Sequence, residues 1–186
     1  MTDKLMSKRL SMTLAGMENL SDLEAIEKEC DEYFIFDPPC ASEHNRSIKE
    51  CLTIGDIIPG IEDENYKKEN YLLYCIWQDD TIIGFLSYYL EYYQKDTAYL
   101  SILYIKKSYQ KSGIGAEIVN ELVQKLKAAK YKSIRTHCSL RNATALRFWV
   151  KNGFNNIIDV ECDGNLFPEN FGGLELVKDI SEFVEL

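Results

Sequence analysis

Six consecutive residues, Gln110-Lys111-Ser112-Gly113-Ile114-Gly115, have the types needed to hold a phosphate group. Two glycines let the main chain come close to a ligand. The amides of the helical turn that opens here lack intrahelical acceptors, and the helix dipole favours an anion in front of them. Lys111 and Ser112 add a cation and a hydroxyl. The chemistry indicated is pyrophosphate binding; the same residues also suit a plain tight turn between strand and helix. Two common nucleotide patterns do not fit. The string Gly-x-x-x-x-Gly-Lys-Ser/Thr is absent from the sequence. After Gly115 come Ala116, Glu117 and Ile118, so the third glycine of the dinucleotide fingerprint, or the alanine tolerated there, is missing.

The elements around this turn follow from periodicity. Residues 97–105 read as a strand that feeds the turn. Behind it, Ile114, Ile118, Leu122 and Leu126 form one helical stripe, widened by Val119 and Val123, with charged residues opposite. That helix must pack on a sheet. Residues 71–77 and 81–90 read as strands flanking the turn Gln78-Asp79-Asp80. Residues 132–139 are a further strand. Asn142 caps a short helix carrying Ala145, Leu146, Phe148 and Trp149, and Gly153 suits the left-handed position that ends it. Residues 154–160 and 173–178 complete the strands. Toward the start, residues 9–15 read as a strand. Ser21 with Glu24 reads as a capping box for a helix running to Asp31, with Leu23, Ile26 and Cys30 on one face. Residues 33–60 are irregular around Asp37-Pro38-Pro39, with a short helix near 43–51. The order is β-α-α-β-β-β-α-β-α-β-β. It predicts an α/β fold with a mixed sheet, helices on both faces and one domain over residues 1–186.

Composition narrows the partners. A net charge of −9 argues against a nucleic acid, which needs clustered Lys and Arg, and is compatible with a cationic acceptor. The six cysteines include no Cys-x-x-Cys pair, so neither a zinc site nor a thioredoxin-like motif is indicated. Cys75 and Cys138 lie in apolar runs and read as buried thiols, which suits a reducing cytoplasm. Residues 1–16 are mixed polar and do not read as a signal peptide. The longest apolar run, residues 71–77, is too short to span a bilayer.

Two blocks together carry a resemblance. Leu103-Tyr104-Ile105, four residues, then Gln110-x-x-Gly113-x-Gly115 resembles the acetyl-CoA signature of the GNAT superfamily of N-acetyltransferases. The run Asn142-Ala143-Thr144-Ala145-Leu146-Arg147-Phe148-Trp149, followed by Lys151-Asn152-Gly153-Phe154, resembles that family's Asn-x-x-Ala-x-x-Phe-Tyr…Gly-Phe helix. The element order fits over most of the chain and weakens over residues 31–70. The resemblance implies a GNAT fold whose central parallel strands are splayed, so that the gap admits the pantetheine arm of acetyl-CoA, the donor. The backbone of Leu103, Tyr104 and Ile105 would pair with that arm. Amides of Gln110, Lys111, Ser112, Gly113, Ile114 and Gly115 would hold the pyrophosphate. Asn142 would meet the cofactor near its pantetheine or thiol end, and Trp149 stands in the same block.

The implied reaction is direct acetyl transfer to a primary amine, probed here by three demands. The amine must be neutral, although an alkyl amine has a pKa of about 10. The tetrahedral intermediate needs an N–H donor, expected from the backbone at Tyr104 and Ile105. The departing thiolate benefits from an acid. The family places a tyrosine for this, and here that position is Trp149, whose indole N–H has no useful acidity. Tyr104 is the nearest substitute, though it reads equally as a core strand aromatic. His137 is the candidate base, at the end of the strand before Asn142, where some members that acetylate protein N-termini have a glutamate. A hydrogen-bonded structural histidine is the alternative, and His44 is a lesser candidate. The acceptor pocket would lie around residues 33–60 and 161–172, with Phe34, Phe36, Phe167 and Phe171 lining it and Asp37, Glu43 and Glu161 at its edges. This composition favours a small-molecule amine over a peptide amine. Non-catalytic acyl-CoA binding and a longer acyl donor are the rivals, and homodimers are frequent in the family.

Overall fold

In a computed structural model of the chain, residues 4–6, 9–30, 46–162 and 172–181 are described. The strands are β1 (Lys4–Met6), β2 (Ser11–Leu14), β3 (Tyr71–Gln78), β4 (Thr81–Leu90), β5 (Thr97–Ile105), β6 (Ser133–Ser139), β7 (Asn156–Cys162) and β8 (Gly172–Asp179). The helices are α1 (Leu20–Cys30), α2 (Ile48–Ile54), α3 (Ile114–Ala128) and α4 (Ala143–Lys151). The strands form one mixed sheet in the order β1-β2-β3-β4-β5-β6-β8-β7. Only β5 and β6 pair in parallel among the described strands; every other neighbour is antiparallel.

Two hydrophobic layers sandwich the sheet. On one face the stripe of α3, Ile114, Ile118, Val119, Leu122, Val123 and Leu126, is buried against Leu86, Tyr88 and Leu100, with Trp149 of α4 beside it. On the other, Leu23 and Ile26 of α1 and Ile48 and Cys51 of α2 pack on Phe85, Tyr89 and Tyr99. Fully burying each such aliphatic side chain contributes about 1.5–3 kcal/mol, which is why α3 is fixed so firmly across the strands it follows.

The strands at 81–90 and 97–105 and helix α3 match the periodicity. Four expectations need correction. The first strand is β2, shorter than residues 9–15, and the unanticipated β1 pairs antiparallel with it. Ser21 does not cap α1: a 3-10 turn at Met17–Asn19 runs straight into Leu20, so Ser21 already lies inside the helix, and the Gly16 N–H is held by Asn19 Oδ1 at 3.0 Å. The short second helix begins at Ile48, because Ser47 and Glu50 form the capping box there; Glu50 N–H donates to Ser47 Oγ and Ser47 N–H to Glu50 Oε2. Phe154 does not start β7. Gly153 turns the chain at φ 87°, and Phe154 drops into the core against Trp149, so the strand opens at Asn156.

Candidate active site

The parallel pair at the centre of the sheet separates. β5 and β6 are paired at Thr97↔Ser133, Ala98↔Ile134 and Tyr99↔Arg135, and at no later residue. At the fork, Thr136 Oγ1 donates to the Leu100 carbonyl at 3.0 Å. Leu103, Tyr104 and Ile105 lie beyond the last β5–β6 pair. A bulge marks the same place: Ser87 pairs with Ile102 and Tyr88 with Leu100, so Ser101 is the extra residue of β5.

At the end of β5 stands the glycine turn. Gly113 is the N-cap of α3 and is left-handed at φ 85°, and Lys111 is also at positive φ, 58°. Gln110 Nε2 donates to the Ile105 carbonyl at 2.8 Å, tying the turn to the strand end. Ser112 Oγ donates to the Tyr109 carbonyl. The two glycines differ in surroundings. A Cβ on Gly113 would meet one atom within 4 Å, Nη2 of Arg9 at 3.6 Å, so the main chain there is open to a ligand. A Cβ on Gly115 would stand 3.0 and 3.1 Å from the ring of Phe148, so that glycine lets α3 and α4 pack closely. The residues at the turn therefore fit a pyrophosphate with Gly113 as the open position.

Arg9 was not foreseen. It precedes β2, donates through Nε to Glu117 Oε2 at 2.8 Å and through Nη2 to the Ser112 carbonyl at 2.9 Å, and so adds a guanidinium beside the turn. Only the long-range pairing of the first strands brings it there, and no local pattern signals that.

Asn142 caps α4, its Oδ1 accepting the Ala145 N–H at 2.9 Å. Among the described residues none takes its Nδ2 hydrogens, so the cap leaves them available to a ligand. Trp149 is 8% exposed, edge-on to Phe148 and Phe154 at 4.8 and 5.2 Å, and is a core side chain.

Tyr104 and His137 lie on the α1/α2 face, on either side of the fork. The Tyr104 ring meets Phe85 edge-on at 5.1 Å. His137 has a side chain 26% exposed, with Nε2 3.6 Å from Glu161 Oε2, and it packs directly over Gly173. Next to it Arg135 pairs with Glu175 at 3.2 Å and lies near the rings of Tyr92 and Tyr93. The acceptor-side residues Phe34, Phe36, Asp37, Glu43, His44, Phe167 and Phe171 lie outside the described residues.

Comparison with known proteins agrees with this geometry. The sequence profile of the acetyltransferase (GNAT) family matches residues 25–154, and the chain belongs to that family. It is an acetyltransferase, of a family whose donor is acetyl-CoA. No curated protein sequence matches the chain. Solved structures with the same fold include the ribosomal-protein-S18-alanine N-acetyltransferase from Escherichia coli (15% identical, TM-score 0.62, covering 95% of this chain and 97% of that one). The ribosomal L7/L12 alpha-N-protein acetyltransferase RimL, solved with coenzyme A, is 13% identical with a TM-score of 0.69 over 95% of this chain and 97% of its own. A spermidine N-acetyltransferase chimera of Vibrio cholerae and hSSAT is 12% identical, with a TM-score of 0.65 and coverage of 93% and 96%. These likenesses show the fold. Among the described residues no helix is long and apolar enough to cross a membrane.

Proposed function

We propose that this acetyltransferase moves acetyl from acetyl-CoA directly to the primary amine of a small molecule. The observation that carries the reading is the fork of β5 from β6 after Tyr99, running straight into an open glycine turn at the head of α3. The backbone of Leu103, Tyr104 and Ile105, past the last β5–β6 pair, suits the pantetheine arm, which would bind as an added strand. Amides of residues 110–115, with Lys111, would hold the pyrophosphate. Asn142 would donate from Nδ2 near the thiol end, and Trp149, with Phe148 and Phe154, would wall the site from the core side. The backbone N–H groups at Tyr104 and Ile105 would face the developing oxyanion. His137, with Glu161 beside it, would accept a proton on the β6 side of the fork, and Tyr104 carries a hydroxyl on the β5 side.

We take residues 1–186 as one domain. Cys51 and Cys75 are buried free thiols, which supports a cytoplasmic setting. A peptide amine is the second reading, because the solved structures of this fold include enzymes named for protein substrates as well as one named for spermidine. Thiol release from acetyl-CoA, measured over putrescine, phenethylamine and an alanine-terminated peptide, decides between them. Turnover with the small amines is expected; turnover with the peptide alone would replace the small-molecule reading.

A further inference from the structure

One ionisable group on the α1/α2 face is used neither by the glycine turn nor by His137. Asp56 follows Gly55, the residue that ends α2 at φ 84°. At 8% exposure it is the one buried Asp, Glu, Lys, Arg or His among the described residues. Its Oδ1 accepts the Ile57 N–H at 2.9 Å, and its Oδ2 accepts the Ser101 hydroxyl at 3.1 Å. Arg46 is close enough to favour its charge, yet gives Nη1 to the Gly55 carbonyl at 2.9 Å. Among the described residues no cation forms an ion pair with Asp56. A buried carboxylate held by the Ile57 N–H, the Ser101 hydroxyl and the Cys51 thiol, with no ion pair to a cation, is costly to keep, and its location explains the cost. Ser101 is the bulge residue of β5, two positions beyond the last β5–β6 pair. Asp56 is thus fastened to the head of the gap, on the face opposite α3.

We infer that Asp56 is the receiver of the acceptor amine: its carboxylate binds the incoming ammonium at the head of the gap and takes one proton from it, with Ser101 as a positioning residue. The inference rests on the N-acetyltransferase reading above and narrows the acceptor to a cationic primary amine. The step balances. The ammonium passes one proton to Asp56, and the freed lone pair attacks the thioester carbonyl, forming C–N. The C–S bond then breaks, His137 carries the second proton from nitrogen to the departing sulfur, and Asp56 returns its proton to solvent. No hydroxyl acid is needed, which accounts for a tryptophan at position 149.

The groups facing Asp56 are Cys51 on α2, Arg46 ahead of it, Tyr66, Tyr71 on β3 and Tyr99 on β5. Burial raises the Asp56 carboxyl above the ordinary range, while its hydrogen bonds and Arg46 oppose the rise. A raised carboxyl is the better proton acceptor.

The test compares Asp56→Asn and Ser101→Ala with the parent protein. Acetyl-CoA binding by calorimetry should be the same in all three. Parent protein that does not bind acetyl-CoA refutes the acetyltransferase reading, and is a different failure. On the best amine of the panel, Asp56→Asn should lose about 100-fold or more in kcat/KM. Its residual rate should climb with pH as the free amine deprotonates. Ser101→Ala should lose about tenfold, the scale of one hydrogen bond to a charge, with its acid limb moved to higher pH. Asp56→Asn should melt no lower than the parent, so a drop in rate accompanied by a drop in Tm assigns the residue a structural role and overturns the inference. So does an unchanged kcat/KM. Should no amine turn over, carboxyl carbon NMR of Asp56, identified by its loss in Asp56→Asn, is followed as putrescine is added. A lowered titration midpoint supports ammonium binding, and an unmoved one overturns it.

Discussion

Gly115→Ala separates packing from ligand binding in the glycine turn. The added methyl would lie 3.0 Å from Phe148 Cε2 and 3.1 Å from Cζ, a few tenths of an ångström inside ordinary contact. Phe148 cannot swing aside freely, because its ring is already edge-on to Trp149 at 4.8 Å. Helix α4 must shift instead, at a cost of about 1–3 kcal/mol for overpacking. For a chain of this length each kcal/mol lowers Tm by roughly 2–4 °C, so a fall of about 2–12 °C is expected. Gly113→Ala offers the contrast. Its methyl meets only Arg9 Nη2 at 3.6 Å, and the cost is the left-handed φ of 85°, about 1–2 kcal/mol. Scanning calorimetry of both variants, and of Gly115→Ala combined with Phe148→Leu, checks the reasoning. The pair should regain part of the lost Tm, since the two residues share one contact. An unchanged Tm in Gly115→Ala, or no recovery in the pair, would refute the claim that Gly115 exists for α3–α4 packing.

Gly113→Asp should abolish acetyl-CoA binding by placing bulk and negative charge at the open position, and isothermal calorimetry reads it directly. Arg9→Ala should raise the acetyl-CoA KM while sparing the amine KM, each measured by steady-state kinetics with that substrate varied and the other saturating. His137→Ala should lower kcat; a rate equal to the parent's would leave His137 as packing for Gly173. Stability should also depend on pH through Asp56. Because its folded pKa is raised above the unfolded value, the folded state binds the extra proton, so stability falls as pH rises from the ordinary carboxylate range through the raised pKa. Asp56→Asn should flatten that fall in chemical denaturation curves. Burial pushes the Cys51 and Cys75 thiols up to about 12, so Ellman's reagent should reach them in the native protein only through unfolding.

The sequence carried the local parts of this site well. The α3 stripe and the strands at 81–90 and 97–105 have uninterrupted periodicity, and Asn142 is a cap set by its own neighbours. Legibility failed where distant contacts decide. Ser21 and Glu24 have capping-box spacing, but the turn at Met17–Asn19 starts the helix first. Phe154 has strand propensity, yet the core beside Trp149 claims it. Arg9 reaches the glycine turn only through the pairing of β1 and β2 at the sheet edge, and the insertion of β8 between β6 and β7 has no local signature. Asp56 reads as loop polarity until the fold buries it against the bulge at Ser101.

Thermal unfolding with and without excess acetyl-CoA, with ATP and NAD as controls, tests the central claim most directly. Ligand at 100 times its Kd adds about 2.7 kcal/mol, a rise of roughly 5–11 °C for a chain of this size. That rise is expected with acetyl-CoA, and none with either control. An unmoved Tm with acetyl-CoA would contradict the assignment of the forked strands and the glycine turn to the donor.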